Sequence, residues 1–332
     1  MEKNELILCL ELSQLNLELS KAEALNSAKP ILELKKTRMN EKYLIANIMK
    51  KDLKKILPWL NKLAFTKNAY ILTNSKDWVP KIKEIVKELG KENPNFKVII
   101  KTKTEEDKDS LIRRIAKEIV NEGLAKKASF KNSFLEISAF CFDKLLIGIK
   151  PWENTEDFNS RKAHKKKVLH PTSMDPRLAR AMINLAAPKK EILDPFCGGG
   201  GILEEAKHLE LNYFGGDANQ KMLNRAATNL GSDKNLFLKD YQEWNKEIEC
   251  VITDPPYGKN SYTTSKLSEL LKKTLRHYSE LTNKIIIMTP NDADIPRIKD
   301  WNTKKYDVYQ HRTLTRRIHV MKKKKKKTTK KF

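Results

Sequence analysis

The hydrophobic and polar positions of this chain follow two different rhythms, and the rhythm changes near residue 171. Before that point, short apolar runs alternate with amphipathic stretches. Residues 105–123 carry apolar side chains at helical spacing and end at Gly123, which is typical of a helix terminus. The apolar run 134–150 predicts two paired strands joined by a short turn. The first half therefore reads as an α+β region with a mixed sheet.

After residue 171 short apolar strands alternate regularly with amphipathic helices. Strands are predicted at 191–194, 212–217, 235–240, 250–254 and 284–290. Helices are predicted at 175–187, 219–230 and 266–281, with a further one opening at the glycine-rich loop. This alternation is typical of a parallel, doubly wound sheet. The last apolar stretch, 306–322, predicts two antiparallel strands that finish the edge of that sheet. The fold class is α/β, with a C-terminal doubly wound, Rossmann-like domain.

These changes of pattern divide the chain into five segments. The predicted segments are an N-terminal α+β module (1–60), a second α+β domain (61–150), a basic linker (151–170), the Rossmann-like domain (171–321) and a lysine-rich tail (322–332). The tail contains eight lysines and no acid, so it is expected to be disordered.

Charge points to a polyanionic partner. The 332 residues include 66 Lys and Arg against 42 Asp and Glu, a formal net charge of +24. Nucleic acid is the leading partner for such a chain, while a lysine-rich solvated surface is the plainer alternative. The predicted linker concentrates candidate RNA contacts, although it could equally be a solvated connector. These candidates are Arg161, Lys162, His164, Lys165, Lys166 and Lys167.

Several classes of protein are disfavoured. The four cysteines form no C-x-x-C pair, the histidines have no metal-ligand spacing with them, and no apolar run approaches the roughly 20 residues of a membrane span. We predict a cytoplasmic protein with free thiols, no metal site and no membrane partner.

Acidic residues sit at or beside the ends of four predicted strands, where an open parallel sheet binds its ligands. Asp194 opens the glycine-rich loop "DPFCGGGGIL". An acid there suits a cationic or amine-bearing ligand such as S-adenosylmethionine better than a pyrophosphate, although NAD remains open. Asp217 ends the second strand about 20 residues after the glycine-rich loop, a spacing that suits a carboxylate accepting ribose hydroxyls, and Asp240 could accept an adenine amino group. A helix cap and a surface acid are their alternative interpretations.

The fourth acid, Asp254, begins the corner "DPPY". Its carboxylate and a backbone carbonyl can each accept one N–H of an exocyclic amine, while Tyr257 can stack on a planar base. Pro255 and Pro256 stiffen the corner and preserve that geometry. Asp254, Pro255, Pro256 and Tyr257 are therefore the candidate catalytic residues, and a structural exit turn is the alternative.

With "DPFCGGGGIL" followed by "TDPPYG", and "HPTSMDPRLARAMINLA" ahead of both, the chain resembles the archaeal THUMP-domain tRNA guanine-N2 methyltransferases that modify position 10. The resemblance implies a THUMP-type RNA-binding domain at 61–150, S-adenosylmethionine as cofactor, tRNA as partner and the addition of one or two methyl groups. Because one chain carries both halves, we also expect a monomer. The cofactor residues it implies are Asp194, Pro195, Phe196, Gly198, Gly200, Asp217, Ala218 and Asp240.

Three other functions stay open at this stage. The same corner chemistry would serve guanine N2 at another tRNA or rRNA site. It would also serve a DNA adenine-N6 or cytosine-N4 methyltransferase, which would have to flip its base. A non-catalytic RNA-binding protein with a methyltransferase fold is the third.

Overall fold

The computed structural model describes residues 5–74, 76–129, 135–165, 168, 174–256, 264–311 and 314–324. The chain forms two compact units. The first unit comprises Met1–Leu17 and Ala28–Thr155, and the second comprises Glu18–Ser27 and Glu156–Phe332. Among the described residues, no helix has the length and apolar character needed to span a membrane.

The first unit is built on one mixed sheet. Its strands are β1 (Glu5–Leu12), β2 (Lys35–Asn40), β3 (Tyr43–Met49), β4 (Thr66–Thr73), β5 (Asn95–Ile100), β6 (Lys127–Ala128), β7 (Leu135–Cys141) and β8 (Leu145–Glu153). The helices of this half are α1 (Leu17–Ala28), α2 (Leu53–Leu60), α3 (Trp78–Glu88) and α4 (Lys108–Asn121). The strand order is β2-β3-β1-β4-β8-β7-β5-β6, with β5 parallel to β6 and β7 and the other pairs antiparallel.

The predicted mixed sheet is confirmed, and it runs across the predicted boundary at residue 60. Strand β1 pairs with β3 on one side and with β4 on the other. Aromatic side chains from three strands pack together on it: the rings of Tyr43 and Tyr70 lie 5.3 and 4.9 Å from that of Phe140. The THUMP character of this region stays a prediction.

The second unit carries a seven-stranded sheet. Its strands are β9 (Glu191–Asp194), β10 (Asn212–Asp217), β11 (Leu236–Leu238), β12 (Val251–Thr253), β13 (Lys284–Pro290), β14 (Trp301–His311) and β15 (Leu314–Lys323). Its helices are α5 (Pro176–Ala186), α6 (Gly201–His208), α7 (Gln220–Leu230) and α8 (Thr264–Leu281), together with residues 18–27 of α1. The order β11-β10-β9-β12-β13-β15-β14 is parallel through β13. The predicted doubly wound sheet is therefore confirmed.

Local sequence explains where the helices of this unit begin and end. The side chain of Asp175 accepts a hydrogen bond from the Arg177 backbone N–H at 2.9 Å, and Pro176 occupies the first turn of α5, where its missing N–H costs nothing. Asn219 caps α7 in the same way, and Gly231 ends that helix in the left-handed conformation.

The antiparallel end of the sheet differs in detail from the prediction. Strand β14 lies at the edge, whereas β15 inserts between β13 and β14 and pairs antiparallel with both. Strand β15 extends to Lys323, so the first two residues of the predicted tail belong to the sheet. Residues 325–332 of that tail lie outside the described residues.

Helix α1 contributes to the second unit although it comes from the start of the chain. The Asn184 side-chain amide in α5 donates a 2.7 Å hydrogen bond to Glu23, which is fully buried. The Lys322 ammonium in β15 donates a 3.1 Å hydrogen bond to Asn26. These contacts make residues 18–27 part of the fold of the second unit.

Candidate functional site

Three acidic strand ends meet at one edge of the second sheet. Strand β9 ends at Asp194, its neighbour β10 ends at Asp217, and β12, on the other side of β9, ends just before Asp254. Because these strands are parallel neighbours, their carboxyl ends meet at the same edge. The structure thus brings together the predicted cofactor loop and the predicted base-binding corner.

The glycine-rich loop between β9 and α6 is held by backbone hydrogen bonds. Gly198 and Gly200 have φ values of +51° and +81°, which only glycine adopts without strain. The Cys197 N–H bonds to the Gly216 carbonyl at 2.9 Å, which fixes the loop against β10. Cys197 itself is buried among apolar side chains of α6 and α7, so its thiol serves packing.

Asp217 joins the end of β10 to the glycine loop. Its two carboxylate oxygens accept hydrogen bonds from the backbone N–H groups of Gly198 at 3.0 Å and Asn219 at 2.8 Å. Burial raises the pKa of this carboxyl, and the two N–H donors oppose the rise. A carboxylate has about four acceptor positions, so both oxygens retain capacity for the hydroxyls of a ribose.

A narrow cleft next to Gly216, the residue before Asp217, is lined by flat and aromatic groups. Pro195, Gly216, Phe237 and Tyr241 contribute to its walls, and Asp240 lies at its rim. The rings of Phe196 and Tyr241 are 5.2 Å apart. The cleft has a volume of about 10 Å³, room for a single water, so a planar base enters only if its walls move apart. The residue types, flat and aromatic walls near a carboxylate, are those that fit the adenine and ribose of S-adenosylmethionine.

Two of the predicted cofactor residues, Asp240 and Ala218, lie outside the glycine-rich loop and the strand ends that carry the others. The Asp240 carboxylate caps the turn Tyr241–Glu243 by accepting from the Gln242 N–H at 3.1 Å, while Glu243 accepts from the Asp240 N–H at 2.8 Å. Ala218 is exposed beyond the end of β10. Their contacts with a cofactor stay predictions.

Asp194 lies beneath the loop. Its carboxylate is 2% exposed, and Oδ1 accepts hydrogen bonds from the Thr253 hydroxyl at 2.6 Å and the Phe196 N–H at 3.1 Å. Burial, with the nearby charges of Asp254 and Asp217, raises its pKa to about 7 against the opposing hydrogen bonds. This carboxylate therefore connects β9 with β12, and its direct contact with a cofactor stays a prediction.

The corner after β12 begins with a shielded carboxylate. Asp254 has a side chain that is 20% exposed, and burial raises its pKa to about 6, although Arg316 opposes the rise. Pro255 is buried and Pro256 is exposed. Tyr257, the fourth predicted catalytic residue, lies outside the described residues.

Arg316 and Thr253 belong to this site, and the sequence reasoning missed both. The Arg316 Nη2 atom donates to Asp254 Oδ1, and the Arg316 residue is only 6% exposed. The sequence does indicate that Arg316 is buried. It lies two positions before Ile318 and four before Val320 in the same strand, so the alternation of side chains places all three on one buried face.

The connector contains a buried ion cluster. The Arg161 guanidinium donates to Glu205 at 2.7 Å and to Glu156 at 2.7 Å, and Arg180 also pairs with Glu205 at 2.8 Å. The guanidinium carbons of Arg161 and Arg180 lie 5.1 and 5.5 Å from the centre of the Phe158 ring. A phosphate contact by Arg161 would compete with two carboxylates.

The other predicted RNA contacts are placed differently. His164 and Lys165 are exposed, and Lys162 is half-buried. Lys166 and Lys167 lie outside the described residues. For all of these side chains, RNA contact stays a prediction.

A basic groove of about 440 Å³ lies along helix α8. Lys272 and Arg276 are one helical turn apart and exposed, as is Lys273, which pairs with Glu269 at 2.7 Å. The groove also reaches Gln242, in the same turn as Tyr241, which lines the narrow cleft. The described parts of the chain contain no group of three His, Cys, Asp or Glu side chains suited to a metal ion.

Models of two families match the chain. The first, RMKL-like, methyltransferase domain, covers residues 163–317, and the second, DNA methylase, covers residues 22–228, more than half of the chain. The crystal structure of TrmN from Thermus thermophilus superposes with a TM-score of 0.50 at 17% identity, covering 96% of this chain and 99% of that chain. Fold and site thus define the class, a mixed α/β methyltransferase-like fold.

Curated relatives narrow the class. A tRNA (guanine(10)-N2)-dimethyltransferase from Pyrococcus abyssi is 34% identical over 53% of this chain and 56% of its own length. A sequence from Methanothermococcus thermolithotrophicus, named "Probable tRNA (guanine(10)-N2)-dimethyltransferase", is 30% identical over 44% of this chain and 98% of its own length. The chain belongs to the methylase family of the second model and, more narrowly, to the tRNA (guanine(10)-N2)-dimethyltransferase family. It spans about half the length of the first curated relatives it matches.

Proposed function

We propose that this chain transfers methyl groups from S-adenosylmethionine to the exocyclic N2 of guanosine at position 10 of tRNA. The observation that carries the proposal is the adjacency of the Asp254 corner and the glycine loop at one sheet edge. The names of the curated relatives support guanine N2 and position 10.

The cofactor would lie across the carboxyl ends of β9 and β10. Asp217 would accept the ribose hydroxyls, and Pro195, Phe196 and Tyr241 would flank the adenine. Asp194 would act through the Phe196 backbone that it fixes. When bound, S-adenosylmethionine supplies an electrophilic methyl group on a sulfonium.

The target amine would be held by the corner after β12. Asp254 would accept one N–H of the guanine amino group and a backbone carbonyl of the corner the other, which localises the nitrogen lone pair toward the methyl group. Methylation of N2 releases a proton from that nitrogen, and Asp254 would be the residue that accepts it. A methylated amine keeps one N–H, so the same site could serve a second transfer.

Substrate RNA would be gripped outside the reaction site. The THUMP-type region predicted at 61–150 and the exposed connector side chains His164 and Lys165 would contact it, and the groove along α8 adds a basic surface next to the cofactor turn. Counterion release from the RNA should make binding strongly salt-dependent. The chain is proposed to act as a monomer.

The test is product identification. The full chain is incubated with labelled S-adenosylmethionine and an unmodified tRNA transcript, and the digested nucleosides are separated. Label in N2-methylguanosine or N2,N2-dimethylguanosine supports the proposal, and a transcript with adenosine at position 10 should stay unlabelled. If the transcript with adenosine at position 10 is still labelled, the methylated guanosine lies at another position.

The DNA methylase match makes a DNA amine methyltransferase the second candidate. Duplex DNA and ribosomal RNA therefore belong in the same assay. Preferential labelling of adenine N6 or cytosine N4 in DNA would replace the proposed function. No transfer to any of these nucleic acids, with S-adenosylmethionine bound, would favour a binding protein.

A further inference from the structure

The catalytic corner is completed by a residue from the other end of the sheet. Arg316 lies in the third position of β15, opposite Pro290 at the end of β13 and Val308 in β14. Because β15 runs antiparallel to β13, its beginning lies at the carboxyl edge of the parallel strands. Its guanidinium there donates to Asp254.

Within the part of the chain that the structure describes, this contact engages one carboxylate oxygen of Asp254, Oδ1. Nη2 of Arg316 binds Oδ1 of Asp254, and the Asp254 side chain keeps 20% exposure while that of Arg316 keeps 7%. A buried guanidinium has few rotamers available, so the carboxylate plane is fixed from one side. The exposed remainder of the carboxylate is then the part that a ligand can reach.

Burial explains why a cation beside Asp254 matters, because it raises the pKa of this carboxyl to about 6 even with Arg316 opposing the rise. Asp194, at the end of the neighbouring strand β9, has its pKa raised chiefly by burial and further by the charge of Asp254. Arg316, from β15, is the cation that acts on Asp254 among the described residues. An opposite charge within about 4–6 Å favours the ionised carboxylate, whereas burial opposes it.

We propose that Arg316 is a positioning residue for Asp254: it binds Oδ1, keeps the carboxylate ionised and turns Oδ2 toward the amino group of the target base. The inference rests on the proposed function for the assignment of Asp254 to a base amine. A neutral carboxylic acid would present a donor as well as an acceptor, and that donor would face the N–H groups of the amine.

The first test is a pH profile of tRNA methylation at saturating substrate. In Arg316→Met the acidic limb should move to higher pH by about one unit or more, because the charge that favours ionisation is lost. Arg316→Lys should restore part of the shift. Arg317→Met, which removes the neighbouring arginine paired with exposed Asp307, is the matched control and should retain the wild-type limb. A uniform loss of kcat at every pH, with an unmoved limb, would leave Arg316 a purely structural residue.

The second test does not depend on methylation. Thermal unfolding midpoints of wild type and Arg316→Met are compared between about pH 5 and 8, where Asp254 titrates. The difference should grow as pH rises, because the variant leaves a buried carboxylate without its cation, and it should lose its pH dependence in an Asp254→Asn background. A constant difference in both backgrounds would overturn the inference even if the chain methylates tRNA. If Arg316→Met does not fold, Arg316→Gln, which keeps donors but no charge, serves in both tests.

Discussion

The Thr253 hydroxyl donates a 2.6 Å hydrogen bond to the Asp194 carboxylate, and this contact adds a side-chain link between the ends of β12 and β9 to the backbone pairing of the two strands. Both residues are buried, so neither group has water as a substitute partner. The two walls of the candidate site, cofactor loop and base corner, are thereby held in one geometry.

Thr253→Val should lower the free energy of unfolding by about 1–3 kcal/mol, because it leaves a buried carboxylate oxygen without its hydroxyl donor. Chemical denaturation measures the effect. Thr303→Val, on the exposed edge strand β14, is the control and should change stability little. Equal stability losses in the two variants would show that the hydrogen bond between Thr253 and Asp194 makes no specific contribution to stability.

Asp254→Asn should lower the methylation rate about 100-fold or more, because an amide cannot take up a proton as the carboxylate does. Affinity for tRNA, measured by filter binding, should stay near that of wild type, because the carboxylate addresses the base and not the phosphates. Asp307→Asn changes an exposed acid and should remain active. A fully active Asp254→Asn would remove Asp254 from the reaction.

Stability should fall as pH rises through neutrality. The folded-state pKa of Asp194 is about 7 against an ordinary value of 3.8, because burial penalises the charge. A raised folded-state pKa means that this contribution to stability is fully present below the unfolded pKa and is lost as pH rises through the folded one. Asp194→Asn should therefore flatten the thermal unfolding midpoint between about pH 5 and 8. An unchanged slope would show that Asp194 does not titrate there.

The arginines and lysines of the connector should separate into two groups. Arg161→Met should cost about 3 kcal/mol of unfolding free energy, because it breaks a buried ion pair and leaves Glu205 with less compensation. Lys165→Met, at an exposed position, should leave stability unchanged and weaken tRNA binding slightly. Chemical denaturation and filter binding are measured on both variants. A stability loss in Lys165→Met together with an unchanged stability of Arg161→Met would contradict the structural role of the ion cluster.

The groove along α8 offers a charge-reversal test. Lys272→Glu with Arg276→Glu should weaken tRNA binding and reduce the slope of log affinity against log salt by about 1–2, because phosphate contacts are lost. Lys299→Glu with Lys304→Glu makes the same charge change at exposed positions elsewhere on the unit. Equal losses in the two double variants would reflect net charge alone and not the groove.

The sequence predicted the parallel part of the sheet closely. The bounds of β9, β10 and β13 agree with the predicted strands. In β9 and β13 the apolar residues mark the strand, whereas β10 has only Tyr213 and Phe214 before two glycines. Strand β2, by contrast, reads "KKTRMN" and pairs on one side only, so no apolar alternation reveals it. Helix α2 contains Pro58, which ordinarily indicates that a helix ends.

The sequence predicted the acidic residues at the strand ends of the candidate site. It did not predict the side chains that bind these acids. Asp194 and Asp254 follow the apolar residues of their strands, and Asp217 follows the aromatic pair and two glycines of β10. Arg316 is 62 residues away from Asp254 along the chain, and only the insertion of β15 between β13 and β14 brings them together. A single sequence carries no direct sign of that pairing.

Helix α1 gives the second unit a discontinuous sequence, and this has a consequence for biosynthesis. The partner of Asn26, Lys322, lies 296 residues later in the chain. During synthesis this helix therefore waits for a strand made much later before it can complete its native contacts. For the same reason, a fragment that begins at residue 156 would lack the Glu23 partner of Asn184 and is a poor choice for expression.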